Sequence, residues 1–149
     1  MEMARNLILR LSIFFLSFLQ CSYLLASNDL IVLTYHDIVD TRSELVGDAV
    51  TSDHLVGHFE WLKLQGYHVV SLDDLKAAQD GVRPLPRKAV LLTWDDGYTS
   101  FYTHVLPLLK AYNYPAVLAI VCSWMEPKLD GFVQYGASLV PREKFMSWE

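Results

Sequence analysis

Cysteine is scarce in this chain: among its 149 residues only Cys21 and Cys122 carry a thiol. Once a leader of 26 residues is removed, Cys122 alone remains, so no internal disulfide can form. Cys122 reads as a small apolar residue packed in a strand and not as a reactive thiol. Basic clusters are missing after Arg10, and the net charge is −5, which argues against nucleic acid as a partner. No internal repeat or low-complexity tract is visible, which excludes repeat arrays. No histidine follows His104. What is abundant is apolar surface: 52% of residues are hydrophobic and 19% charged, the balance of one folded domain with a real core and not of a disordered chain.

The N-terminus has the layout of an export signal. Arg5 and Arg10 form a basic start, Leu11 to Leu19 is apolar and broken only by serines, and Leu24-Leu25-Ala26-Ser27 offers a small residue for cleavage after Ala26. The division is therefore a signal peptide over 1–26 and a folded domain over 27–149. An uncleaved anchor is the alternative, but a spanning helix needs about 20 apolar residues and Gln20 interrupts this one. Gln20 is also not the small residue that lipid attachment at Cys21 requires. Loss of Arg5, Arg10 and Glu2 leaves 10 basic and 16 acidic residues, a net charge of −6.

Beyond the leader, strand and helix patterns alternate. Leu30 to Tyr35 reads as a buried strand, followed by a polar loop through Gly47. Thr51 is an N-cap, and Leu55, Phe59 and Leu62 make an apolar stripe at helical spacing that Gly66 ends. Tyr67 to Ser71 reads as a strand, Asp73 to Gln79 as a helix ending at Gly81, and Lys88 to Thr93 as a further strand. Ser100 to Tyr112 reads as a helix bent by Pro107, and Pro115 opens a strand over Ala116 to Val121. From Ser123 onward the pattern is irregular, with a helix expected from Pro141. Continuous apolar strands separated by helices imply an α/β fold with parallel strands covered on both faces.

Sites in such folds form at the carboxyl ends of the strands. His36 and Asp37 follow the first strand, Asp95 and Asp96 end the third, and Ser123 and Trp124 follow the fourth. The run Trp94-Asp95-Asp96-Gly97-Tyr98 is the most informative of these. Adjacent carboxylates where the chain turns can divide labour, one binding a cation and the other taking a proton. The plain alternative is a turn, because Asp-Gly is a common turn pair; convergence of three strand ends on one rim favours a site. His54 and His58 have the i, i+4 spacing of metal ligands but flank the apolar stripe, so they read as a solvated pair. His68 and His104 read as structural. An aspartyl-phosphate chemistry is less consistent, because there the carboxylates are spaced by one residue.

Thr93-Trp94-Asp95-Asp96-Gly97-Tyr98 resembles the first motif of the polysaccharide deacetylases, the NodB-homology or carbohydrate esterase family 4 group. That motif usually reads Thr-Phe-Asp-Asp-Gly, so Trp94 is a departure. Leu33 to Ile38, Gly66 to Leu75 and Ser100-Phe101-Tyr102 with Pro107-Leu108-Leu109 extend the likeness. Together they resemble the deacetylase domain of exported poly-β-1,6-N-acetylglucosamine N-deacetylases from Gram-negative biofilm systems. The resemblance implies the N-terminal part of a distorted (β/α) barrel with outer helices. It implies metal-dependent hydrolysis of N-acetyl groups from an N-acetylglucosamine polysaccharide. Asp95 is then the general base, Asp96 a ligand of zinc, nickel, cobalt or iron, and His36 the general acid. The implied location is the periplasm or cell envelope, with inner- or outer-membrane association through the N-terminus.

The family's metal site takes two further histidines from a His-Ser/Thr-x-x-His motif downstream of the aspartates. None is present, and Asp96 alone is a weak site for a transition metal. The expectation is a partial deacetylase domain, inactive by itself, whose intact form is the enzyme. The alternative is an inactive remnant or a glycan-binding module without catalysis.

Overall fold

The computed structural model describes residues 29–126 and 131–148; the expected signal peptide lies outside the described residues. Its centre is β5 (Ala89–Trp94), whose side chains are buried at every position but Thr93. β1 (Leu30–Tyr35) pairs with β5 in parallel over its whole length, from Leu30 opposite Ala89 to Tyr35 opposite Trp94. On the other edge of β5, β4 (His68–Val69) occupies the start and β6 (Val117–Leu118) the end, both parallel. β2 (Ile38–Val39) and β3 (Val50–Thr51) form a second, two-residue parallel pair. The parallel α/β class expected from the sequence is what forms.

Helices cover the β5 side of this sheet, whereas β1, expected to be a buried strand, leaves Ile31 and Val32 exposed. α1 (Ser52–Leu64) starts at Thr51, whose hydroxyl accepts the His54 backbone N–H, and it buries Leu55, Phe59 and Leu62. α2 (Leu72–Gln79) starts in a capping box between Ser71 and Asp74. α3 (Leu106–Tyr112) ends at Asn113, which adopts the left-handed conformation at φ 54°. These elements enclose a core of Tyr35, Leu55, Phe59, Val90, Leu92, Trp94 and Val105. Trp94 is fully buried, stacked on Tyr35 with ring centres 4.9 Å apart and met edge-on by Phe59 and Phe101.

Six expectations are corrected. The strands expected over Tyr67–Ser71 and Ala116–Val121 shrink to two residues each, because both must share one edge of β5. The single helix over Ser100–Tyr112 is instead a π-helical turn, Phe101–Val105, leading into α3. The Leu106 N–H reaches back five residues to the Phe101 carbonyl. Pro107 has no N–H to continue regular i−4 bonding, which fits a wide turn just before it. The region taken as irregular contains an antiparallel hairpin, β7 (Phe132–Tyr135) and β8 (Ser138–Pro141). The helix expected from Pro141 is only a 3-10 turn at Arg142–Lys144. Cys122 does not pack in a strand: β6 stops at Leu118, and Cys122 is exposed in a 3-10 turn.

No helix among the described residues is long and apolar enough to cross a membrane.

The packing sets a stability contrast. Phe59→Ala should cost about 3–5 kcal/mol because its ring is fully enclosed. Val46→Ala should stay within about 0.5 kcal/mol, since Val46 is 80% exposed. Urea unfolding of both variants checks this; equal losses would contradict the assigned core.

Candidate active site

The β1–β5 register carries the two strand ends out together. Tyr35 faces Trp94, and the Asp95 N–H extends the ladder by donating to the Tyr35 carbonyl at 2.9 Å. His36 and Asp95 are therefore the next residues on adjacent strands. The chain then turns sharply: Asp96 sits at φ 72° and Gly97 at φ 76°. A left-handed residue other than glycine costs about 1–3 kcal/mol and is typical of functional sites, with aspartate among the better tolerated. Gly97 has a second reason to lack a side chain. A Cβ there would lie 3.2 Å from Ile120 Cγ2 and 3.3 Å from Met125 Sδ. Its carbonyl accepts the Met146 N–H at 2.8 Å, which ties the turn to the C-terminal segment.

This turn brings Asp96 to His36, with Oδ2 3.9 Å from Nε2. The other ring nitrogen, Nδ1, lies 2.7 Å from Asp48 Oδ2. Asp96 Oδ2 is buried without a hydrogen bond of standard geometry among the described residues, and the Tyr135 phenol lies beside its carboxylate. Asp95 is half-buried, and no hydrogen bond or ion pair engages its carboxylate among those residues. Asp37 turns elsewhere: it accepts the Ser100 hydroxyl at 2.7 Å and lies 3.6 Å from Lys144 Nζ. The Ser100 oxygen in turn accepts the Ile38 N–H, so Asp37 anchors the rim.

Aromatic side chains form the wall behind the carboxylates. Tyr98, Val133 and Phe145 are buried together, with Trp124 and Tyr135 packed against them. Tyr98 and Phe145 form an antiparallel bridge, so the hairpin region closes onto the Asp-Gly turn. Burial, reinforced by the neighbouring Tyr135 and by Asp37, Asp96 and Asp48, holds the Tyr98 phenol well above its ordinary range. For Tyr135, burial first and then the Asp96 carboxylate push the phenol up to about 12.

The remaining histidines stay apart from this rim. His54 and His58 are exposed on α1, as expected, although His58 Nδ1 also meets the Tyr35 hydroxyl at 3.2 Å. His68 is exposed, and His104 pairs with Asp40 at 3.0 Å. Ser123 is exposed, while Trp124 joins the aromatic wall. Sequence reasoning missed Asp48 and the Tyr98–Tyr135 pair. The alternation of Phe132, Val133, Gln134 and Tyr135 before Gly136 was the available signal for the hairpin; nothing local marks Asp48.

A divalent cation fits this rim only in part. Asp96 offers a buried carboxylate oxygen, but no group of three or more His, Cys, Asp or Glu that could hold a metal exists among the described residues. Those residues do not complete a transition-metal site.

The parallel strands and outer helices define a partial parallel α/β barrel of the deacetylase type, with the candidate carboxylate–imidazole rim at its strand ends. Residues 82–139 match the family model for polysaccharide deacetylase. The chain is 41% identical over 122 residues to the poly-β-1,6-N-acetyl-D-glucosamine N-deacetylase of Escherichia coli, covering 82% of this chain and 18% of that protein. Among solved structures, the de-N-acetylase from Aggregatibacter actinomycetemcomitans superimposes with a TM-score of 0.72 at 40% identity, over 80% of this chain and 47% of that one. The BpsB deacetylase domain from Bordetella bronchiseptica gives 0.63 at 35% identity, again over 80% and 47%. The chain belongs to the polysaccharide deacetylase family. It spans about a fifth of the length of that curated relative and just under half of those solved chains.

The raised phenol gives a pH test. Tyr135 should ionise near 12 instead of the ordinary 10.0 in an ultraviolet titration, and Tyr135→Phe should remove that late step. A phenol whose folded pKa is raised adds stability that is full below about 10 and is lost as the pH rises through its folded value. Loss of a step near 10 on making Tyr135→Phe would contradict the packing described.

Proposed function

We propose that this chain carries the acid–base part of a polysaccharide N-deacetylase acting on exported poly-β-1,6-N-acetylglucosamine. The observation that carries the reading is the meeting of His36 with the Asp95-Asp96 pair at the strand ends. The likeness to a named poly-β-1,6-N-acetyl-D-glucosamine N-deacetylase supports the substrate class. The N-terminal pattern supports export to the periplasm or cell envelope.

The reaction is hydrolysis of an amide, which resonance makes a poor electrophile. Asp95, whose carboxylate is free of partners among the described residues, takes a proton from the attacking water. The water oxygen forms a bond to the acetyl carbon, and the carbon–nitrogen bond breaks. His36 delivers a proton from Nε2 to the departing amine, leaving acetate and a free glucosamine. Asp96 is assigned as one ligand of a divalent ion, which would polarise the acetyl carbonyl; its partner ligands are not among the described residues. The second reading is a glycan-binding module without turnover.

Acetate release from poly-β-1,6-N-acetylglucosamine separates the two. The first reading expects turnover that falls about 10²–10⁴-fold in Asp95→Asn and in His36→Ala. Metal content should be nearly unchanged in both variants and reduced in Asp96→Asn. Polymer binding with no acetate release would favour the module, and wild-type turnover in Asp95→Asn would refute the assigned base.

A further inference from the structure

Asp48 stands apart from the residues that the family motif identifies. It lies in the polar loop between β2 and β3, and its carboxylate is 61% exposed. Its position is nevertheless fixed. Ile38 is the register partner of Val50, and the Val50 N–H donates to the Asp37 carbonyl at 3.1 Å. His36 and Asp48 each lie two residues before that pair, so the short β2–β3 ladder holds them face to face. The resulting separation, 2.7 Å from Nδ1 to Oδ2, is that of a charge-assisted hydrogen bond.

The opposite nitrogen has no such partner. Asp96 Oδ2 is 3.9 Å from Nε2, beyond hydrogen-bond length. An imidazole with a carboxylate against Nδ1 keeps its hydrogen there, and Nε2 becomes the nitrogen that gains and loses a proton. We infer that Asp48 is a positioning residue: it holds the Nδ1–H tautomer of His36 and thereby aims Nε2 at the rim beside Asp96. This rests on His36 being the proton donor of the proposed reaction. Asp48 itself touches no reacting atom in this role. Its work is to fix which nitrogen faces the amine and to keep the ring from rotating.

The test reads the tautomer directly and needs no turnover. Long-range proton–nitrogen correlation spectra of the 15N-labelled chain, recorded well above the ordinary imidazole range, identify the protonated nitrogen of each histidine. Wild type should hold His36 as Nδ1–H in at least about a tenfold excess, the scale set by one charge-assisted bond. Asp48→Asn keeps an acceptor oxygen and should retain that form; Asp48→Ala should shift His36 to Nε2–H. The other histidines should not respond, which separates this effect from general disturbance of the fold. An Nε2–H tautomer in wild type, or an unchanged Nδ1–H form in Asp48→Ala, overturns the inference. Failure of the acid assignment looks different: the tautomer would behave as stated while His36→Ala kept full turnover.

Discussion

The parallel pairing of β1 with β5 is the constraint on which the site depends. Six residue pairs run in unbroken register, and the last of them, Tyr35 with Trp94, is locked by stacked rings in the core. A slip of one residue would send every side chain of β1 to the opposite face. It would also shift His36 by one position relative to Asp95 and Asp96. The chemistry at the rim is thus set by packing below it. Burial of Trp94 beneath the acidic pair has one cost: its indole N–H has no hydrogen-bond partner among the described residues. An unpaired buried donor costs about 1–3 kcal/mol, which the large apolar contact of the ring offsets.

Above the register, a second group of contacts gives the turn its shape. Asp96 and Gly97 both take left-handed conformations, and Ile120 and Met125 fill the space where a larger residue at position 97 would sit. The hairpin and the segment through Phe145 close on Tyr98 and supply the phenols beside Asp96. Asp96 therefore sits against an aromatic wall beside the Tyr135 phenol, and its neighbour Asp95 has no side-chain partner among the described residues. The proposed division into ligand and base rests on that difference between adjacent, chemically identical side chains.

The strand–helix alternation and the rim were legible because their signals are local. Apolar runs gave β1 and β5, Thr51 gave a helix start, and the acidic pair at a strand end gave the candidate site. The shortened β4 and β6 were not legible, because their length is set by competition for one edge of β5, a non-local fact. The π-helical turn before Pro107 was half-visible as an expected bend. The hairpin at Phe132–Pro141 was missed although its alternation and Gly136 were present. Asp48 could not be found from sequence at all: it meets His36 only through the pairing of β2 with β3, which neither loop reveals.

The register can be observed without any assumption about activity. Scalar coupling across hydrogen bonds, measured by NMR on the doubly labelled chain, identifies which carbonyl accepts each amide. The account predicts a coupling between the Asp95 nitrogen and the Tyr35 carbonyl carbon, the last rung of the β1–β5 ladder. Coupling of the Asp95 amide to any other carbonyl would contradict it, because His36 would then no longer stand beside the acidic pair.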